Sequence, residues 1–93
     1  MNRQVFQSPL FERQKKRLTK REVESLDAGI KGIMENPKVG EPKRSDIAGV
    51  YVYKFKVGPK LFLLAYEFDD SEIDLLAIGP HENFYRDMKR YLK

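Results

Sequence analysis

The sequence predicts an α+β fold: two N-terminal helices packed on a small antiparallel sheet of three to four strands, with a short C-terminal helix. Two changes of hydrophobic period carry this reading. Apolar residues recur at helical spacing before Asn36, alternate every second residue after Gly49, and return to helical spacing after Pro80. Glycine and proline punctuate the changes, at Pro37, Gly40, Pro42, Gly49, Gly58-Pro59 and Gly79-Pro80.

The elements follow in order. Residues 3–6 can form a short leading strand. Ser8-Pro9 starts a first helix, because serine caps free backbone N–H groups and proline is tolerated at the first helical position. Leu10 to Leu18 is charged and helical. A second helix begins at Thr19 or Lys20, and Val23, Leu26, Ile30, Ile33 and Met34 make one apolar stripe along it. Asn36-Pro37 ends it, since the residue before proline avoids the helical region.

Residues 36–49 form a loop. In the strand that follows, Tyr51, Tyr53, Phe55 and Val57 make one face, and Val50, Val52, Lys54 and Lys56 the other. Leu61 to Phe68 is apolar enough for a strand buried on both faces. Asp69-Asp70-Ser71 reads as a hairpin turn, and Ile73 to Ile78 as a third strand of a meander. Gly79-Pro80 is expected to break the sheet. Phe84, Met88, Tyr91 and Leu92 then share one face of the last helix. One sheet face should carry the N-terminal helices, and the other should display Lys54 and Lys56.

Composition narrows the function. Ninety-three residues suit one domain spanning 1–93, and 41% hydrophobic residues suffice for a core. The chain has no cysteine and one histidine, which excludes thiol chemistry and argues against a zinc site; no metal or cofactor is expected. No signal peptide or membrane span is evident, so the expectation is a cytoplasmic protein. The charge is uneven: residues 1–44 carry eleven Lys/Arg against six Asp/Glu, and residues 45–93 carry seven against eight. A basic region draws polyanions, although a solvated lysine-rich surface has the same composition.

Taken in order, several segments resemble the RelE/ParE toxins of bacterial toxin–antitoxin systems. They are the helix pair ending in Asn36-Pro37, the Gly40 and Lys43 loop, Ile47-Ala48-Gly49, Lys54-Phe55-Lys56 and Leu63-Leu64-Ala65-Tyr66. Ile78-Gly79-Pro80-His81-Glu82-Asn83-Phe84-Tyr85, leading into Lys89-Arg90-Tyr91-Leu92, completes the series. The resemblance implies a toxin held by a cognate antitoxin. Its RelE-like and YafQ-like branches imply a ribosome-dependent endonuclease acting on mRNA; its ParE-like branch implies a poison of DNA gyrase. The pattern His81-x-x-Phe84 looks closest to the YafQ-like nucleases. Lys54 and Lys56 fall where RelE has two strand lysines near the scissile phosphate. RelE also carries a catalytic arginine in the stretch matching Leu61-Phe62-Leu63-Leu64, where this chain has none. Either Lys60, Lys43 or Arg44 replaces it, or the activity is weaker or different, down to a non-catalytic relic that only holds an antitoxin.

Metal-independent RNA cleavage needs a base for the 2′-hydroxyl, cations for the phosphate and an acid for the leaving 5′-oxygen. An imidazole suits proton transfer. The expected catalytic set is therefore His81, Tyr85, Lys54 and Lys56, with Lys60, Lys43, Arg44 and Phe84 contacting substrate. Each has a plainer reading: a helix-start histidine, polar-face lysines, and for Phe84 a place in the core. The acidic run Asp69, Asp70, Glu72 and Asp74 is turn chemistry rather than a metal site.

Overall fold

A computed structural model describes residues 3–43, 49–82 and 84–92. Its elements are β1 (Gln4–Gln7), α1 (Pro9–Lys15), α2 (Lys20–Glu35), a 3-10 turn (Pro37–Val39), β2 (Glu41–Pro42), β3 (Tyr51–Val57), β4 (Lys60–Phe68), β5 (Glu72–Pro80) and α3 (Phe84–Leu92). The five strands form one sheet in the order β1-β5-β4-β3-β2.

Local chemistry sets the helix ends. The Ser8 hydroxyl accepts from the Phe11 N–H, with Pro9 following in the first turn. Thr19 and Glu22 form a capping box that closes the start of α2 in both directions. Asn36 ends α2, and its side chain accepts from the Lys38 N–H to start the 3-10 turn.

The strand β4 is central, and Phe62 to Tyr66 are buried, as its unbroken apolar run requires. It pairs antiparallel with β3 and β5, giving the expected meander. The loop between β3 and β4 is Gly58-Pro59; glycine takes φ +60° and proline supplies the next negative φ. The turn between β4 and β5 is held by Asp69 Oδ1, which accepts from the Ser71 and Glu72 N–H groups and from the Ser71 hydroxyl.

The sheet has two covered faces. On the first, Phe11, Leu26 and Ile33 pack with Phe62, Leu64, Tyr66, Ile73, Leu75 and Ile78, and Tyr51, Tyr53 and Phe55 complete the layer. The helix α2 lies close: a Cβ at Gly29 would stand 2.8 Å from the Tyr53 ring. On the second face Val52, Leu63, Ala65, Leu76 and Ala77 meet Phe84 and Met88 of α3. Tyr91 and Leu92, expected on the same stripe, have side chains outside the described residues.

Four expectations are corrected. The sheet has five strands and is mixed, because β1 runs parallel to β5. A two-residue strand, β2, pairs with β3 inside the segment read as loop. The strand β5 continues through Gly79-Pro80, with Pro80 opposite Phe62. Proline is tolerated there because β1 pairs with β5 only as far as Leu75, so among the described residues no further ladder partner lies on that side. Lastly, α1 straddles the edge of β5 instead of lying on one face: Phe11 enters the first core and Leu10 packs on the second.

That edge contains a bulge. The β4–β5 register shifts between Ala65 and Tyr66, whose partners are Ala77 and Leu75, leaving Leu76 as the extra residue. Helix α1 satisfies the exposed backbone there. The Ser8 hydroxyl donates to the Leu76 carbonyl at 2.7 Å, and the Gln14 side-chain oxygen accepts from the Ile78 N–H at 2.8 Å.

Candidate active site

The second sheet face presents the basic residues. Alternation along β3 puts Val52, Lys54 and Lys56 on it, and both lysines are exposed. They stand about 7 Å apart along the strand. The strand β2 extends this face sideways. Glu41 pairs with Val52, and the Lys43 N–H donates to the Val50 carbonyl, so Glu41 and Lys43 also occupy alternate positions. Helix α3 supplies the roof: Phe84 is buried, and Tyr85 meets it edge-on at 5.5 Å between ring centroids.

Lys43, Glu41, Lys54 and Tyr85 form one cluster. Lys43 Nζ bonds Glu41 Oε1 at 2.8 Å and stands 5.4 Å from the Tyr85 ring centroid. The hydrogen bond from Lys43 holds the Glu41 carboxyl below the usual glutamate range, with help from the Lys43 charge and then from Lys54. The same bond raises the Lys43 ammonium above its ordinary value; partial burial opposes the rise and Tyr85 favours it.

The segment carrying this cluster is anchored from below. The buried Tyr66 hydroxyl donates to the Pro37 carbonyl at 2.6 Å and accepts from the Gly40 N–H at 3.0 Å. Burial pushes the phenol above its ordinary value, so it stays protonated and able to donate. Tyr66 thus fixes the chain just before Glu41.

His81 sits elsewhere on the molecule. It is exposed, and its N–H donates to the Leu61 carbonyl at 3.0 Å, prolonging β5 alongside β4. It lines a shallow depression with Pro59, Lys60, Leu61, Pro80 and Glu82. Lys56 pairs with Leu61 from the other side, so Lys56, Leu61 and His81 form a row across the strand ends, about 10 Å from first to last. Lys60 belongs to the opposite face. It pairs with Val57, its ammonium lies 3.8 Å from Glu22, and it stands over the Phe62 ring.

The structure therefore gathers Lys43, Lys54 and Tyr85, leaves Lys56 on the same face, puts His81 at the end of that face, and sets Lys60 on the opposite face at the rim of the depression that His81 lines. Phe84 is core. Arg44 lies outside the described residues. Glu41 is the member that the sequence reading passed over. Its signal was the alternation Glu41-Pro42-Lys43, which is strand spacing in a segment read as loop. Among the described residues no group of three or more His, Asp or Glu side chains is placed to hold a metal ion. Among the same residues no helix is long and apolar enough to cross a membrane.

This arrangement of three helices around a mixed sheet has known counterparts. A family model for ParE-like toxins of type II bacterial toxin–antitoxin systems matches residues 5–89. The chain belongs to that family. Among solved structures it is similar to a mutant of the E. coli toxin RelE in the free state, with TM-score 0.77 and 15% identity over 100% of both chains. It is also similar to a chain of the RelBE2 toxin–antitoxin complex of Mycobacterium tuberculosis, with TM-score 0.75 and 19% identity over 87% of this chain and 100% of that one. A chain of the intact E. coli RelBE complex gives TM-score 0.70 and 17% identity, covering 86% and 98%. At such identities the likeness is one of fold. No curated protein matches the sequence.

Proposed function

We propose that this toxin is a ribosome-dependent mRNA endonuclease, cleaving by attack of the 2′-hydroxyl to leave a 2′,3′-cyclic phosphate. The observation that carries the reading is the exposed pair Lys54 and Lys56 on one strand face, with Lys43 and Tyr85 beside it. RNA laid along this face would meet two ammonium groups at its phosphates and the Tyr85 phenol at a base or sugar. A phosphate above Leu61 would lie within reach of both Lys56 and His81, letting the imidazole carry a proton to or from the reacting oxygens. No metal is required.

The partner is a cognate antitoxin. The E. coli and M. tuberculosis relatives are described in complex with theirs. A short acidic segment that folds on binding suits the basic face of this chain. Co-expression with the neighbouring reading frame should yield a complex that co-purifies.

The test is controlled expression of wild type, His81→Ala and the double variant Lys54→Ala/Lys56→Ala, with mapping of mRNA 5′ ends. Wild type should arrest growth and generate new ends, and both variants should lose them. Arrest that persists in His81→Ala without mRNA cleavage would refute the nuclease reading. A second reading, a DNA gyrase poison, is favoured by the ParE-like description of the family and by the distance of His81 from the Lys43–Tyr85 cluster. It predicts gyrase-dependent DNA breakage that ignores His81.

A further inference from the structure

We infer that Glu41 is an internal competitor of the substrate: its carboxylate holds the place of a phosphate between Lys43 and Lys54, and RNA must displace it. This rests on the RNA-binding reading above and adds an element to it. A carboxylate and a phosphate present the same anionic oxygens to an ammonium, at the same charge-assisted distance. Lys43 Nζ meets Glu41 Oε1 at 2.8 Å, inside that range, and among the described residues it has no other salt-bridge partner. Glu41 pairs with Val52, two residues from Lys54 on the same face, so the acid is flanked by two cations.

The two ends of the ion pair are held unequally. The Lys43 side chain is 21% exposed and lies against the Tyr85 ring, whereas the Glu41 side chain is 60% exposed. The acid can therefore swing into water while the lysine stays in place. An ion pair this exposed is weak, so it sets affinity without blocking the face. A polyanion entering from solvent exchanges one carboxylate for its own phosphate and keeps the lysine geometry unchanged.

The experiment measures anisotropy of a short fluorescein-labelled oligouridylate titrated with the isolated toxin at low salt. Glu41→Gln should bind roughly threefold tighter than wild type. Asp70→Asn, which removes the same charge at the exposed β4–β5 turn, should gain less. The difference should shrink as salt rises, and it should vanish when Lys43→Gln is added. A gain no larger than that of Asp70→Asn, or one that survives Lys43→Gln, overturns the inference. So does the absence of any anisotropy change in every variant. The nuclease reading falls only if mRNA mapping also finds no cleavage, so the two failures are distinguishable.

Discussion

Removing one oxygen from the interior should loosen the whole segment that carries Glu41 and Lys43. Tyr66 is fully buried, and its hydroxyl is bonded to the Pro37 carbonyl and the Gly40 N–H. Tyr66→Phe keeps the ring and its packing but leaves a buried acceptor and a buried donor without their partner. An unsatisfied buried group costs about 1–3 kcal/mol, so the pair should cost about 2–4 kcal/mol. That is a large part of the roughly 5–15 kcal/mol that holds a domain of this kind together. Urea unfolding followed by circular dichroism, with an unchanged m-value, measures the loss. Gly40→Ala probes the same contact from the other side, because the new Cβ would stand 2.6 Å from the Tyr66 hydroxyl. Deleting the hydroxyl removes the closest clash, so Gly40→Ala should cost less in the Tyr66→Phe background than in wild type. A Tyr66→Phe loss below about 0.5 kcal/mol, or strict additivity of the two changes, would refute the reasoning.

Ser8→Ala removes both the cap on α1 and the donor to the bulged Leu76 carbonyl, and should cost about 2 kcal/mol by the same unfolding assay. Carboxyl titration by NMR should give Glu41 a midpoint below the usual glutamate range, moving upward in Lys43→Ala. Asp69 is held below its ordinary value by the bonds from Ser71 and Glu72. Its contribution is therefore complete above the unfolded-state value of about 4 and is lost as pH falls through the depressed one. Glu72 runs the other way: its hydrogen bond with Asp74 raises it, favouring the folded state as pH drops through the raised value. Asp69→Asn should flatten the acid limb of the stability profile measured by urea unfolding at a series of pH values.

Much of the fold could be read because its signals are local. Thr19 with Glu22, Asn36 with Pro37, and Gly58 with Pro59 each act within a few residues, and the alternation from Val50 to Val57 declares its own two faces. What escaped depends on distant partners. The role of β1 is set by β5, and β2 exists only because β3 offers an edge. The bulge at Leu76 is completed by Ser8, far back in the chain. Gly79-Pro80 looked like a stop because proline lacks a donor, yet the tertiary arrangement leaves that side of β5 with no strand to pair. The site divides along the same line. Lys54 and Lys56 were legible from strand period, whereas the Lys43–Tyr85 contact needed α3 folded over the sheet, and the face of Lys60 depends on the count across the β3–β4 turn.

The parallel pairing of β1 with β5 also has a consequence for when the molecule becomes complete. Gln4–Gln7 is made early, but its hydrogen-bonding partner Glu72–Leu75 is made late, after every other strand. A growing chain can close the β3–β4 hairpin and cap both helices while β1 still has no neighbour. Helix α1 waits as well, since Ser8 and Gln14 bond residues of β5. The sheet is thus finished by its earliest piece docking onto its latest. A chain synthesised only as far as β4 lacks the β5 neighbour that α1 and β1 require, so the N-terminal elements cannot settle until β5 has been made.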